Sequence, residues 1–340
     1  MSQKVINNNC LFVLDQNFEK VYYRLDPSYH DKLFNHVSGH FYHICSCYVQ
    51  HSLNIISNDL CIVPNHLEFI HEVSKGYVTA QYENVIATGH LYTIYFGHFL
   101  SDFICPILAM PDDIIQKSYI LGSAEKRLVD EYLTPLGLRE KFINVSDNEW
   151  VYTSNLYITA NPYPHCSHLG PLYKKLGDKL KNYFNISNLP ARRYILSNRK
   201  SYMRQIHNFD NLSKAIQDAF PSNKYEKVID ERLTIGETAK LYGDAKFLYL
   251  VVGSNCFKSL VLNEKAVVVL VGTGAYDDSA INAIGSNGNK IVYYVEPSIS
   301  HKDYSYNVLN ITLAIKACSI ANYYINNSRF PTDPAGSLIL

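Results

Sequence analysis

Apolar and polar positions alternate along this chain in a way that predicts strands and helices in turn. Before residue 80, the apolar runs are short and are separated by turn-forming residues, which is typical of strands. These runs cover residues 10–14, 39–44 and 60–64. The first 80 residues are therefore predicted to form a β-rich extension.

After residue 80, apolar runs alternate with segments of helical periodicity. This alternation predicts an α/β fold of the doubly wound kind. A Thr234-x-x-Glu237 capping box marks the start of one helix. The other predicted helices cover 98–108, 124–133, 172–184, 210–220 and 308–324, and the strands cover 85–88, 117–122, 156–160, 192–197, 225–230, 249–252, 266–272 and 291–297. The Gly- and Asn-rich residues 273–289 are predicted to be a flexible loop.

A length of 340 residues favours two domains. Residues 185–190 read Asn-Ile-Ser-Asn-Leu-Pro, a linker-like composition, so we expect the boundary there. The predicted domains are 1–188 and 189–307, followed by a helix at 308–326 and a tail at 327–340.

The charge balance gives no reason to expect a nucleic-acid partner, because 31 basic residues face 31 acidic ones. The eight cysteines contain no C-x-x-C pair and are interpreted as packing residues.

Membrane-spanning and secretory signals are absent from the sequence as given. Its first residues lack the apolar run of a signal peptide, and no apolar run reaches the about 20 residues that cross a bilayer. The expected location is cytoplasmic. A Golgi or ER lumen location is the alternative if an N-terminal anchor has been trimmed.

His98 and Asp102 are four residues apart on the helix predicted near 98–108, so we expect them to lie on one face. A carboxylate beside an imidazole can fix its tautomer, or can itself accept a proton. A local hydrogen bond with only a capping function is the alternative.

Two features of the second half of the chain suit an anionic ligand. Gly253-Ser254-Asn255 follows a buried strand and opens a helical segment, where helix amides meet anions. Arg199 and Arg204 follow another strand, and guanidinium groups bind phosphate oxygens in pairs. Solvated loop arginines are the alternative.

The chain resembles the family 61 glycosyltransferases over residues 80–325. Three blocks carry the resemblance: His98-Phe99-Leu100-Ser101-Asp102-Phe103, the arginine segment from 197 to Asn208, and Glu231-Arg232-Leu233-Thr234 with the glycine turn at 253. The turn departs from the family's G-x-H-G-A, since Asn255 replaces the histidine and Cys256-Phe257 replaces Gly-Ala. Asparagine can donate a hydrogen bond but carries no charge.

The resemblance implies GT-B architecture, with two Rossmann-like domains facing a cleft. It also allows the final helix to pack back on the N-terminal domain. The first domain would serve the acceptor, and the second would bind the nucleotide sugar through Arg199, Arg204, Asn208, Glu231, Gly253, Ser254, Asn255 and Lys258.

The implied reaction is transfer of a hexose or pentose from a nucleotide sugar, expected to be a UDP-sugar, with inversion at the anomeric carbon. The acceptor would be a hydroxyl of a glycan, glycoprotein or polysaccharide. Asp102 is favoured as the base, with His98 orienting it. The acidic doublets 112–113 and 277–278 are not D-x-D motifs, so we expect no metal and no further cofactor.

Other functions remain as alternatives. The departures at the glycine turn favour an inactive relative that binds a nucleotide or glycan. A dehydrogenase and a P-loop kinase are disfavoured, because the chain has neither a complete G-x-G-x-x-G nor a G-x(4)-G-K-[ST] motif.

Overall fold

The computed structural model describes residues 11–14, 40–58, 60–62, 76–89, 91–160, 169–200, 204–230, 233–272, 278–296, 307–331 and 337–339. The chain divides into a larger unit, Met1–His36 with Leu180–Leu340, and a smaller unit, Val37–Lys179. Among the described residues, each unit contains one seven-stranded sheet. The domain boundaries expected at 188/189 and 307/308 stay predictions.

The strands in chain order are β1 (Leu11–Leu14), β2 (His40–Val49), β3 (Ile55–Ser57), β4 (Leu60–Ile62), β5 (Tyr77–Ala87), β6 (Tyr119–Gly122), β7 (Phe142–Asn144), β8 (Glu149–Ala160), β9 (Arg193–Arg199), β10 (Tyr225–Asp230), β11 (Ala245–Val251), β12 (Val267–Gly272), β13 (Lys290–Val295) and β14 (Ser337–Ile339).

The α-helices within the described residues are α1 (Phe96–His98), α2 (Cys105–Ala109), α3 (Asp112–Lys117), α4 (Lys126–Leu133), α5 (Gly170–Tyr183), α6 (Phe209–Ala219), α7 (Ile235–Tyr242), α8 (Asp278–Ser286) and α9 (Ile311–Asn327). A π-helical segment, Phe99–Ile104, joins α1 to α2. In the described part of the chain, 3₁₀ helices cover Leu91–Ile94, Arg139–Lys141 and Ser254–Val261. The predicted mixed α/β class is confirmed.

The sheet of the larger unit has the order β10-β9-β11-β12-β13-β1-β14. Its neighbouring strands are parallel, except that β14 is antiparallel to β1. Every residue of β12 is buried, and β11 and β13 are buried except for one residue each. This burial explains their continuous apolar runs, because a parallel sheet is covered on both faces.

Helices cover both faces of this sheet. One face carries α6 and α9, whose apolar residues share a core with Tyr249 and Tyr294. The other face carries α7, the 3₁₀ helix Ser254–Val261 and α8. The chain passes from β9 outward to β10 and then returns past β9 to β11, so the connections after β9 and β11 lie on opposite faces. The gap between the carboxyl ends of these two strands is therefore a topological switch point, where ligands of such sheets bind.

The capping box is confirmed at the start of α7. Thr234 accepts a hydrogen bond from the Glu237 amide, and the Glu237 carboxylate accepts one from the Thr234 amide. The described structure corrects two other expectations. The flexible loop expected at 273–289 contains α8, and all nine of its residues are buried, so the segment has no polar face to reveal a helical period. The helical turn after Gly253 is a 3₁₀ helix.

Helix α9 packs against α6 and the sheet of its own unit through Ala314, Ala317, Cys318 and Ala321. Small side chains on this face let the helix lie close to the strands. The packing of this helix on the N-terminal domain stays a prediction.

The sheet of the smaller unit is mixed, in the order β4-β3-β2-β8-β5-β6-β7. Strands β8, β5, β6 and β7 are parallel, while β2 pairs antiparallel with β3 and β8. The β-rich character expected before residue 80 is found in β1 to β5, although β1 joins the sheet of the larger unit. The GT-B arrangement stays a prediction.

Candidate active site

His98 and Asp102 form a hydrogen-bonded pair in the smaller unit, as their spacing predicts. Nδ1 of His98 is 2.7 Å from Oδ2 of Asp102. The Asp102 side chain is fully buried, whereas the His98 side chain is 29% exposed. The imidazole is therefore the part of the pair that a substrate can reach.

The helix that carries this pair changes its hydrogen-bond register between α1 and α2. The amide of Cys105 bonds to the carbonyl of Leu100, five residues back. Pro106 follows, and its missing N–H and bulky ring prevent the ordinary bond to the carbonyl of Asp102. Single π-helical turns occur frequently at functional sites, where they redirect side chains. The proline thus explains why the helix widens at the pair.

Neighbouring residues hold the widened turn in place. Phe99 and Phe103 are fully buried and stack at 5.2 Å between ring centroids. The Thr88 hydroxyl donates to the carbonyl of Phe103 at 3.1 Å. The Ser101 hydroxyl lies 2.7 Å from Oδ1 of Asp102. Both carboxylate oxygens of Asp102 therefore have partners, and the position of the carboxylate is fixed.

A second candidate group lies at the switch point of the larger unit, where β9 and β11 end. Asn198, in β9, is buried and its amide spans the following loop. Its Nδ2 donates to the carbonyl of Ile206, and its Oδ1 accepts from the amides of Ile206 and Arg199, all at 2.8 Å. This amide joins Ile206, two residues after Arg204, to the end of β9. Asn198 falls within the arginine segment that carries the family resemblance, and a polar residue at the buried end of a strand was the signal for this role.

Arg204 and Gly253 are in close contact at this edge. Nη1 of Arg204 donates to the carbonyl of Val252 at 3.0 Å. The backbone of Arg204 is left-handed, with φ of 59°, which costs a non-glycine residue about 1–2 kcal/mol. Its buried Nε has no hydrogen-bond acceptor among the described residues. A strained backbone and an unsatisfied donor on one arginine favour a role in ligand binding.

Arg199 and Lys258 add two more positive charges to this edge. Burial, with the nearby charge of Arg204, lowers the pKa of Arg199 to about 10. Burial, with the charge of Arg199, lowers the pKa of Lys258 to about 7. Nζ of Lys258 also lies over the Tyr242 ring, 5.5 Å from its centroid. An anion would relieve the repulsion among these cations, because it favours their charged forms.

Ser254 and Asn255 begin the 3₁₀ helix that follows Gly253. The amide of Cys256 closes the first turn on the carbonyl of Gly253 at 2.8 Å. The amides of Ser254 and Asn255 precede that bond and have no partner within the helix. Residues three apart eclipse each other in a 3₁₀ helix, so Asn255 and Lys258 lie on one side of it.

Two predicted binding residues are not part of this cluster as described. The Asn208 amide bonds at both ends to the backbone of Leu309, at 2.9 and 3.0 Å, and ties the start of α6 to the segment before α9. Glu231 lies outside the described residues. The part of both residues in nucleotide binding stays a prediction.

Within the described ranges, no three His, Cys, Asp or Glu residues are placed to hold a metal ion. Across the same ranges, no helix is long and apolar enough to span a membrane.

The sequence model of the family described as Glycosyltransferase 61 matches residues 96–269. The match covers just over half of the chain, from α1 into β12, and includes both candidate groups. A search of curated proteins found no match. The chain belongs to glycosyltransferase family 61. Membership supports glycosyltransferase activity and implies a nucleotide sugar and a glycan acceptor as partners.

Proposed function

We propose that this protein is an inverting glycosyltransferase that moves a hexose or pentose from a nucleotide sugar, with UDP as the leaving group, to a hydroxyl of a glycan, glycoprotein or polysaccharide. The observation that carries the proposal is the convergence of Arg199, Arg204 and the Gly253 turn at the switch point. No metal or additional cofactor takes part in this proposal.

Donor binding is assigned to this basic edge because a leaving diphosphate needs positive charge and free amides. Arg204 has an unsatisfied Nε, and guanidinium groups match phosphate oxygens in pairs. The amides of Ser254 and Asn255 supply donors at the start of a helix. These groups would stabilise the negative charge that develops as the sugar–phosphate bond breaks.

The acceptor hydroxyl is assigned to the His98–Asp102 pair. A neutral imidazole that donates from Nδ1 to a carboxylate holds its lone pair on Nε2, where it can accept a proton. Because Asp102 is buried and His98 is partly exposed, we assign the base to His98 and the orienting role to Asp102, the reverse of the roles favoured from the sequence.

The proposed reaction is a single displacement. The acceptor oxygen loses its proton to His98 and bonds to the anomeric carbon. The bond from that carbon to the phosphate oxygen breaks, and the nucleoside diphosphate leaves with the electron pair.

Nucleotide binding and sugar transfer test the proposal together. Binding of UDP, GDP and CMP to the protein should be measured by calorimetry. The corresponding nucleotide sugars should be incubated with the protein and a panel of glycan acceptors. Arg204→Ala should weaken UDP binding by about tenfold or more, since a charged hydrogen bond contributes about 1.5–3 kcal/mol.

Arg192→Ala is the matched control. Arg192 lies in the same unit, its side chain is 72% exposed, and it pairs with Asp244. This variant should bind UDP as the wild type does. Equal losses in the two variants, or no binding of any of the three nucleotides, would contradict the proposed donor site.

A binding module without transferase activity is the second candidate. Cys256 and Phe257 are buried where the family pattern has Gly-Ala, and Asn255 carries no charge where it has histidine. This candidate predicts that UDP or a UDP-sugar stabilises the protein while no acceptor in the panel is glycosylated. Product formation would exclude it.

A further inference from the structure

The smaller unit contains a cavity of about 250 Å³ whose wall is partly apolar and partly basic. It lies where the ends of α2 and α3 meet the turn after α4, the 3₁₀ helix Arg139–Lys141 and one face of α5. Its lining is Leu108, Asp112, Ile115, Gln116, Leu136, Gly137, Leu138, Lys141, Lys175 and Lys179. The lining thus carries three ammonium groups, of Lys141, Lys175 and Lys179, and one carboxylate, of Asp112.

Two of these lysines are held in place by carbonyl groups at helix ends. Lys141 donates to the carbonyls of Ile115, at 3.2 Å, and Gln116. Lys175 donates to the carbonyl of Leu108 and to Asp112, both at 3.2 Å. An ammonium group has three donors, so each of these lysines keeps one more.

Lys179 is the third cation, one helical turn beyond Lys175 on α5. It is exposed and makes no hydrogen bond or ion pair with the residues that the structure describes. Capping of helix ends accounts for Lys141 and Lys175 one at a time. Capping does not account for the third lysine at the same cavity, where three like charges repel each other.

The apolar part of the wall indicates what kind of group an anionic ligand of the three lysines would carry. Leu108, Ile115 and Leu138 are nearly fully buried. Space remains open beside Gly137, because a Cβ added there would have no neighbour within 4 Å. The cavity is smaller than the about 300–1,000 Å³ of pockets that enclose a drug-sized ligand, so it suits a single charged ring.

We propose that this cavity binds an anionic sugar, with its phosphate or carboxylate among the three ammonium groups and its ring against the apolar wall. The site shares no residue with the basic edge at Gly253 and does not rest on the proposed donor site, because binding is measurable without transfer.

Titrations followed by NMR at low ionic strength test this inference on the full chain. The probes are glucose 1-phosphate, glucuronic acid, glucose and inorganic phosphate. Glucose 1-phosphate and glucuronic acid distinguish the two anion sources, and saturable binding of either supports the inference. Glucose should not bind, and inorganic phosphate should bind more weakly than the bound anionic sugar because it lacks the ring.

Lys179→Gln should weaken that binding by up to about fivefold, the upper end of the range for one exposed ion pair. Lys126→Gln, an equal loss of charge on an exposed lysine of the same unit, should leave it unchanged. Lys175→Gln should weaken it further, with thermal unfolding recorded because this variant also loses a helix-end contact.

Failure of both anionic sugars to bind would overturn the inference, as would equal effects of Lys179→Gln and Lys126→Gln. Inorganic phosphate that binds as tightly as the anionic sugars would also overturn the inference, because the cavity would then be a site for any anion. The Lys179→Gln variant should bind UDP with the affinity of the wild type. This measurement distinguishes a loss at the cavity from a failure of the proposed donor site.

Discussion

Arg204 lies directly against the backbone of Gly253. A Cβ placed on Gly253 would stand 2.5 Å from Nη1 and 2.8 Å from Cζ of Arg204. Gly253 itself has φ of 130° and ψ of −166°, a conformation that is essentially restricted to glycine. A side chain at position 253 would therefore displace the Arg204 guanidinium.

Gly253→Ala should displace Arg204 and weaken UDP binding by about tenfold or more, because it removes the guanidinium from its place. Gly288→Ala is the matched control. Gly288 also has a positive φ, of 90°, but a Cβ there would have its nearest neighbour at 3.8 Å. Both variants should lose about 1–3 kcal/mol of stability from backbone strain. Calorimetry that finds equal UDP affinity in the two variants would contradict the fit described here.

Asp102→Asn should lower kcat by about 10²–10⁴-fold with little change in UDP affinity, because it replaces the charged acceptor that orients His98 with an uncharged amide. His98→Asn should have an effect at least as large. Ser101→Ala should lower kcat much less, since it removes one hydrogen bond to Oδ1 of Asp102 and leaves the bond between Oδ2 and His98 in place. Initial rates with a glycan acceptor and calorimetric UDP binding measure both quantities. A fully active Asp102→Asn enzyme would remove this carboxylate from the mechanism.

UDP affinity should fall as pH rises from 7 to 9. Burial and the charge of Arg199 lower the pKa of Lys258 to about 7, so free protein loses this proton over that range. A bound anion favours the protonated amine, and binding must then take up a proton. The decline should approach at most about tenfold per pH unit.

Lys258→Met should bind UDP more weakly at pH 7 and should show a flatter pH dependence. The phosphates of UDP are already ionised above pH 7, since their last pKa is about 6. Calorimetry in two buffers of different ionisation enthalpy measures the proton uptake directly. Parallel pH profiles for wild type and variant would rule out Lys258 as the titrating group.

Asn287→Ala should lower the free energy of unfolding by about 2–3 kcal/mol, because it leaves several buried groups without partners. Nδ2 of Asn287 donates to the carbonyls of Ser259, at 2.7 Å, and Leu262, and its Oδ1 accepts from buried Lys181 at 2.8 Å. Asn327→Ala, at the exposed end of α9, should cost less than about 0.5 kcal/mol. Urea unfolding followed by circular dichroism compares them, and equal midpoints would argue against this role.

Much of the larger unit could be predicted from the sequence because its strands are uninterrupted apolar runs. The run at 266–272 and the Thr234-x-x-Glu237 box each have one physical interpretation, and the structure confirms both. Helix α8 escaped prediction because buried Asn282 and Ser286 satisfy each other at 2.8 Å, and their polarity suggested a loop.

The candidate sites were predictable only where the partners are close in sequence. His98 and Asp102 are four residues apart, so helical geometry alone brings them together. Arg204 follows β9 and Gly253 follows β11, so their contact requires these two strands to be neighbours in the sheet. Apolar periodicity along the sequence does not determine that strand order. The lysine cavity needs α5 beside α2, which is likewise a consequence of tertiary packing.

Strand β1 separates β13 from β14 in the sheet of the larger unit, although it comes from the far end of the chain. A recombinant fragment that starts at Leu180, where the larger unit resumes, would lack β1, and β14 would lose the only described strand beside it. The backbone amides and carbonyls along one edge of β13 would then be unpaired. Such an edge can pair with a strand of another molecule, which is a common cause of aggregation. A soluble fragment of this half must therefore carry residues 11–14, for example through a circular permutation.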